Sequence, residues 1–119
     1  MRGDEMLNMS DMIRGYTDTI ILAQLLLRDS YGYEINRHVA QATGGLLELK
    51  EATLYTTFRR LEQAGCIRSY WGDEQTGARR RYYAITPMGR ELHRENLADW
   101  QAVKAILDHL LQGEQKDEP

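Results

Sequence analysis

The chain has 119 residues, of which 42% are hydrophobic, and its formal net charge at pH 7 is −3. This length supports one domain, no apolar run approaches the roughly 20 residues that a membrane-spanning helix needs, and one cysteine excludes an intramolecular disulfide and a thiolate cluster for a metal. The acidic amino terminus lacks the features of a secretory signal, so we expect a cytoplasmic protein that does not enter a membrane.

Two helices are predicted in the first third of the chain, after an N-terminal extension of residues 1–10. The first, over residues 11–27, is apolar on most of its surface, which is typical of a central buried helix. The second, over residues 33–43, is ended by a pair of glycines. Its predicted inner face comprises Ile35, Val39 and Ala42.

The third predicted helix follows Lys50 and carries two different faces. Leu54, Phe58 and Leu61 recur at i, i+4 and i+7, so they share one buried face. The opposite face carries short side chains, hydroxyls and arginines: Ala52, Thr56, Arg59, Arg60 and Gln63. Short polar side chains let the backbone approach base edges closely, and arginine binds guanine or phosphate with paired hydrogen bonds. This helix is therefore predicted to enter a DNA groove.

A β-hairpin is predicted next. Gly65 lies where a helix ends in the left-handed conformation, residues 66–71 alternate as a strand, and residues 72–78 form the loop. The returning strand, over 79–85, opens with three arginines, of which Arg80 is expected on the opposite face from its two neighbours. The pattern predicts a mainly α fold with a small β-hairpin (α+β), a winged helix-turn-helix domain over 11–85.

A long last helix is predicted over residues 86–112, before a disordered tail of residues 113–119. Thr86 is a suitable N-cap, and proline is favourable at the first helical position. Four apolar residues follow a 3-4-3 spacing along one side of this helix: Trp100, Val103, Leu107 and Leu110. Such a seam beyond a compact domain usually packs on another subunit, so we expect a dimerisation helix.

The distribution of charge favours the DNA hypothesis more than the total does. Residues 50–90 contain eight basic side chains and four acidic ones, so this segment is positive and the remainder is acidic. A basic footprint is the usual mark of a nucleic-acid-binding surface. An acidic remainder limits non-specific adhesion to DNA.

The hairpin and the helix before it resemble the PadR family of bacterial transcriptional regulators. The similarity lies in Thr53-Leu54-Tyr55, Arg60-Leu61-Glu62, Gly65, Ile67, Ser69, Trp71, residues 79–83 and Thr86. It is closest to the small multidrug-efflux-repressor type, on the strength of residues 51–56 and 69–74. Many members have glycine and proline where this chain has Ala52 and Thr56, a departure shared with the multidrug type.

The resemblance implies a homodimer that binds a palindromic double-stranded DNA site through its third helix and wing. Two-fold symmetry places two recognition helices about 34–36 Å apart, facing successive major grooves. Helix pattern and resemblance together suggest these DNA-binding residues: Lys50, Ala52, Thr53, Tyr55, Thr56, Thr57, Arg59, Arg60, Gly77, Arg79, Arg80 and Arg81. The strand alternation argues that not all three wing arginines reach phosphate.

The resemblance also implies a ligand site at the dimer centre, where Trp100 and its symmetry mate hold a planar aromatic compound between their rings. The neighbouring positions carried over are Met12, Gly15, Asp18, Thr19, Leu97, Val103 and Lys104. The multidrug type has an acidic residue at the position of Lys104. The change favours neutral or anionic planar ligands, unless Asp18 pairs with Lys104 or restores a negative site.

Alternatives remain at each site. Trp100 can simply fill the dimer core, and Tyr55 can be a packing residue or a phosphate contact. The three histidines lack metal-ligand spacing: His38 is on the second predicted helix, and His93 and His109 are 16 residues apart on the last one, so no metal or cofactor is expected. We expect a DNA-binding repressor responsive to a planar ligand; the alternative is a winged-helix module for protein interaction. No nucleophile, base and phosphate-binding loop are found at a spacing that indicates an enzyme.

Overall fold

The structure of the chain is a computed structural model that describes residues 9–72 and 79–113. These residues form helices and one antiparallel hairpin, which confirms the predicted mainly α fold. In chain order the elements are α1 (Met9–Met12), a 3-10 turn (Arg14–Tyr16), α2 (Thr17–Leu27), α3 (Gly32–Ala42), α4 (Glu51–Gln63), β1 (Ile67–Trp71), β2 (Arg81–Ile85) and α5 (Pro87–Gln112). The predicted tail beyond Gly113, most of the hairpin loop and most of the predicted extension lie outside the described residues.

The predicted first helix is interrupted near its beginning. The backbone leaves the α-helix and forms a 3-10 turn, in which the Tyr16 amide donates to the Ile13 carbonyl at 2.8 Å. Gly15 lies in this turn, and glycine weakens a helix by about 1 kcal/mol relative to alanine. Helix α2 begins at Thr17, so the expectation of one helix over 11–27 is wrong.

The hydrophobic core surrounds α2, whose Ile21, Leu22 and Leu25 are buried. Helix α4 packs on α2 through its predicted face of Leu54, Phe58 and Leu61, which are all buried. The Phe58 ring stacks on Tyr83 of β2, with 3.9 Å between ring centroids. This stack joins α4 to the hairpin. From α3 the core receives Ile35 and Val39, whereas Ala42 is exposed, contrary to the sequence expectation.

Two side chains hold the link between α3 and α4. The Thr43 hydroxyl accepts from the Leu47 amide at 3.0 Å. The Asn36 amide donates to the Leu49 carbonyl at 2.7 Å and accepts from the Leu49 amide at 2.9 Å. Gly44 and Gly45 have φ of +62° and +84°, a conformation that side chains disfavour. These contacts and glycine conformations set the orientation of α4 relative to α3.

The hairpin pairs β1 with β2 in antiparallel register, with Ile67 opposite Ile85 and Trp71 opposite Arg81. The returning strand therefore begins two residues later than predicted. Ser30, between α2 and α3, forms an isolated antiparallel β-bridge with Tyr83 of β2. The Ser30 amide donates to the Tyr83 carbonyl at 3.1 Å, and the Ser30 carbonyl accepts from the Tyr83 amide at 2.8 Å. The wing is thus bonded to the helical body at its central strand.

Helix α5 starts on a tight joint with the hairpin. The Thr86 hydroxyl accepts from the Gly89 amide at 3.1 Å, so Thr86 is the N-cap as predicted, and it donates to the Gly65 carbonyl at 2.6 Å. A Cβ on Gly89 would lie 2.0 Å from the Cys66 carbonyl oxygen. Only glycine lets the helix start approach the hairpin this closely.

Candidate functional site

Helix α4 presents the predicted polar face to solvent. Its exposed side chains, together with the residue before the helix, are Lys50, Ala52, Thr53, Tyr55, Thr56, Arg59 and Arg60. Thr57 is a correction. It is only 2% exposed, and its hydroxyl donates to the Thr53 carbonyl at 2.8 Å within the helix. Thr57 therefore belongs mainly to the packed side of α4 and contributes little exposed surface to the predicted DNA-binding face.

A polar groove of about 280 Å³ runs along one side of α4. The helix contributes small side chains and Arg60, and the 3-10 turn contributes Arg14; the lining also includes Thr17, Ala52, Thr53, Thr56 and Thr57. Guanidinium and hydroxyl groups donate hydrogen bonds to phosphate oxygens. This groove therefore suits an anionic backbone better than an apolar ligand.

Both arginines of this polar groove already contact carboxylates. Arg14 pairs with Asp11, and Arg60 pairs with Asp18 at the start of α2. The second pair gives Asp18 a partner within the chain that the sequence hypothesis, which considered Lys104, did not include. The Asp18 charge lies beside α4 in this chain.

The three wing arginines lie over aromatic rings. The guanidinium carbons of Arg79 and Arg81 are 5.3 and 5.6 Å from the centroid of the Trp71 ring, whereas that of Arg80 is 4.9 Å from the Tyr31 ring. The separation of Arg80 from its two neighbours agrees with the strand argument, although Arg79 and Arg80 precede β2. Gly77, the remaining predicted wing contact, lies outside the residues that the structure describes.

These wing residues line a second groove on the other side of α4, with a volume of about 560 Å³. We call it the aromatic groove; its lining is Tyr31, Gly32, Tyr33, Tyr55, Trp71, Arg79, Arg80 and Arg81. Tyr55 enters it because Gly32 has no side chain: a Cβ there would lie 2.8 Å from the Tyr55 hydroxyl oxygen. The three arginines and the tyrosine phenol in this lining favour phosphate contact.

An apolar pocket of about 330 Å³ lies between α2 and α5, away from both grooves. Its lining residues are Ile13, Tyr16, Thr19, Ile20, Ala23, His93, Leu97 and Trp100. Tyr16 and Trp100 meet edge to face, with 5.1 Å between centroids and 74° between planes. Offset and edge-to-face contacts of this kind leave part of each ring surface for a further aromatic group.

The structure brings only part of the predicted ligand set to this apolar pocket. Thr19, Leu97 and Trp100 line it, whereas Met12, Gly15, Asp18, Val103 and Lys104 do not line it in the single chain. The sequence interpretation missed Tyr16 and His93 among others. A usable signal was present, because His93, Leu97 and Trp100 follow i, i+4 and i+7 spacing on one face of α5.

Two buried residues near α4 have shifted acidities. Burial raises the pKa of the Cys66 thiol, and the negative charge of Asp18 adds to this effect. Burial also raises the pKa of the Tyr83 hydroxyl, against an opposing effect of Arg81. Cys66 therefore carries its proton at neutral pH, as expected of a packing residue rather than a nucleophile.

In the parts of the chain that the structure describes, no three His, Cys, Asp or Glu side chains come together as metal ligands would. Within the same residues, no helix combines the length and the apolar character that crossing a bilayer requires.

Comparison with known proteins extends these observations. The family described as the transcriptional regulator PadR-like family matches residues 21–95. A curated protein of Lysinibacillus sphaericus, described as uncharacterized, is 43% identical over 104 residues, which is 87% of this chain and 95% of that protein.

Solved structures are similar over most of the chain. A transcriptional regulator from Clostridium thermocellum is 46% identical, with a TM-score of 0.77 over 83% of this chain and 96% of that one. A PadR family transcription regulator from Clostridium difficile is 34% identical, with a TM-score of 0.69 over 81% and 98%. A PadR family regulator from Eggerthella lenta is 29% identical, with a TM-score of 0.77 over 87% and 88%.

Proposed function

This chain belongs to the PadR-like family of transcriptional regulators, and we propose that it acts as a homodimeric repressor that binds palindromic DNA and responds to a planar aromatic ligand. The observation that carries the proposal is the exposed face of α4, which presents hydroxyls and arginines between two arginine-containing grooves. The family regulates transcription and is not enzymatic.

The two grooves support a specific division of contacts with DNA. With α4 in the major groove, Ala52 and Thr56 face base edges and Arg59 reaches guanine or phosphate. The aromatic groove then meets the phosphates of one strand through the wing arginines and the Tyr55 hydroxyl. The polar groove meets the other strand through Arg14 and Arg60. Phosphate contacts position α4, and the α4 side chains supply sequence preference.

The unpaired part of α5 supports a dimer formed by a second copy of this chain. A helix of 26 residues is about 39 Å long, and its second half extends from the body. Trp100 is 36% exposed, Leu110 is 66% exposed and Leu111 is 80% exposed. An exposed apolar seam at heptad-like spacing is best covered by an identical helix. The symmetric copy also covers the apolar pocket.

The contents of the apolar pocket favour an aromatic ligand. Trp100 and Tyr16 offer ring surfaces, while Thr19 and His93 supply hydrogen-bonding groups among apolar side chains. Because Asp18 is engaged by Arg60 and Lys104 lies one turn beyond Trp100 on α5, the local charge favours neutral or anionic compounds. A pocket completed by two copies makes ligand binding sensitive to how the copies are arranged.

The DNA proposal is tested by gel-shift titration with the DNA upstream of the chain's own gene. We expect a sequence-dependent complex whose affinity falls with salt, as counterion release requires. Arg59→Ala should lose about 1–3 kcal/mol of discrimination if Arg59 reads a base, or lower the salt slope by about one if it contacts phosphate. Arg94→Ala, an exposed arginine on α5, is the matched control. A dimer that binds no DNA would instead favour the protein-interaction module.

The ligand proposal is tested with Trp71→Phe, which leaves Trp100 as the single indole. We expect the planar anion anthraquinone-2-sulfonate to quench its fluorescence. Trp100→Ala is made in the chain that keeps Trp71, and its dye binding is measured by equilibrium dialysis. This variant should lose dye binding while the dimer stays intact. Equal binding by that variant would assign Trp100 to packing alone. Lys104→Asp should shift preference towards cationic dyes, and an unchanged preference would place residue 104 away from the ligand.

A further inference from the structure

One ion pair connects the helix that lines the apolar pocket to the helix proposed to enter DNA. The Asp18 carboxylate accepts a hydrogen bond from the Arg60 guanidinium, across 42 residues of sequence. The Asp18 side chain is 32% exposed and that of Arg60 is 55% exposed. A guanidinium has five N–H donors, so a pair at this position leaves Arg60 able to bind a phosphate as well.

The first turn of α2 faces in two directions. On one side, Asp18 contacts Arg60 at the edge of the polar groove. On the other side, the next residue, Thr19, lines the apolar pocket. Tyr16, the residue before α2, packs on Trp100. A displacement of this turn by a molecule beside Trp100 therefore moves the carboxylate that holds Arg60.

The other charged groups at this place do not substitute for Asp18. Arg14 lines the same groove and is paired with its own carboxylate, Asp11, three residues earlier. Asp11 belongs to α1, outside the turn that touches the apolar pocket. Among the residues that the structure describes, Asp18 is thus the carboxylate that contacts α4 and shares a helical turn with the pocket wall.

Given the proposed function, we propose that Asp18 is a positioning residue: it sets the direction of the Arg60 guanidinium and transmits occupancy of the apolar pocket to the DNA-binding face. With the pocket empty, the pair holds Arg60 along the polar groove, where it meets the DNA backbone. When a ligand shifts the first turn of α2, the pair is lost or rearranged and that contact changes. Coupling between two sites requires an element with two arrangements, and the binding of a molecule at either site must change the balance between them.

The test compares the DNA affinity of the full-length chain with and without anthraquinone-2-sulfonate, whose negative charge keeps it off DNA. The variants are Asp18→Asn, Asp18→Glu, Arg60→Gln and the double variant Asp18→Asn/Arg60→Gln. Asp11→Asn is the matched control, because it removes the same charge and the neighbouring ion pair. Equilibrium dialysis measures dye binding in each variant, and thermal melting checks the fold.

We expect each variant to bind the dye as the parent does. The dye-induced fold-change in DNA affinity should shrink at least threefold in Asp18→Asn and in Arg60→Gln. The double variant should lose no more than either single one, Asp18→Glu should keep most of the response, and Asp11→Asn should keep it in full. If Asp18 had only a structural role, its replacement would lower stability and DNA affinity. It would not remove the dye-induced change in DNA affinity while dye binding is kept.

The contrary outcomes are distinct. A full dye response in Asp18→Asn, with dye and DNA both bound, overturns the inference and leaves the proposed function in place. Loss of the response in Asp11→Asn as well would mean that any change of charge near α4 has this effect, which also overturns it. If the parent chain itself fails to bind DNA or the dye, the proposed function fails first.

Discussion

The helical body buries its apolar side chains within one chain, whereas the second half of α5 leaves its apolar side chains exposed. In the body, Ile21 and Leu22 are fully buried and Phe58 is stacked on Tyr83. On α5 the one buried residue within the described range is Gly89, near its start, and the apolar side chains from Leu97 onward are all exposed. The body gains its stability within the chain, whereas the single chain leaves the apolar seam of the outer helix uncovered.

The largest effect should come from breaking the body at its centre. Phe58→Ala removes the ring that joins α4 to the hairpin, and truncating a buried aromatic costs about 3–5 kcal/mol. Urea unfolding should show this loss in the free energy of unfolding. Leu46→Ala, at an exposed position in the α3–α4 linker, should stay within about 0.5 kcal/mol; similar losses for both would mean that Phe58 is not central.

The joint between the two regions should be the next most sensitive place. In Gly89→Ala the new Cβ meets the Cys66 carbonyl, which is backbone and has little room to move, so α5 must shift at a cost of about 1–3 kcal/mol. Thermal melting measures the cost. Gly15→Ala adds the same methyl group in open space and should not destabilise the chain. A neutral Gly89→Ala would show that α5 has freedom at its start.

The outer helix should respond in assembly rather than in the fold of each chain. Leu110→Asp puts a charge in the proposed seam and should raise the dimer dissociation constant at least about tenfold, or 1.4 kcal/mol, in sedimentation velocity runs. Ala105→Asp lies on the opposite side of the helix by its 3.6-residue period and should leave the constant unchanged. Equal weakening by both would argue against this seam.

The smallest effect should be the pH dependence contributed by Cys66. The folded chain holds the thiol proton more tightly than the unfolded chain, because burial raises the thiol pKa. Its contribution to stability is complete below about pH 8.5, the ordinary thiol value, and is lost as the pH rises through the higher folded value. Cys66→Ala should make the alkaline decline in urea midpoint shallower. An unchanged decline would assign it to other groups, including Tyr83.

Much of the fold follows from local sequence signals. Gly65 and the Thr86-Pro87 pair mark helix ends whose chemistry depends on neighbouring residues only, and both signals correspond to the structure. The break before Thr17 was missed because one glycine in an apolar helix is a weak signal, and tertiary packing decides whether the helix continues. The later start of β2 depends on pairing with β1, which the strand pattern alone does not set.

The candidate site was predictable only where one helix face determines it. The exposed side of α4 follows from periodicity, but Thr57 was misplaced because the buried arc of that helix is wider than the three large hydrophobic residues indicate. The Asp18–Arg60 pair joins residues 42 positions apart, and no local rule relates them. The α2 wall of the apolar pocket also depends on how two distant helices pack.

The bonds between Ser30 and Tyr83 bear on how this protein can change shape. They join the middle of β2 to the corner between α2 and α3, which restrains the described strands of the wing against movement relative to the body. In the proposed dimer, each copy should then contact DNA as one rigid unit. Any adjustment of the DNA-binding surfaces should come from the angle between the two copies, or from single side chains such as Arg60.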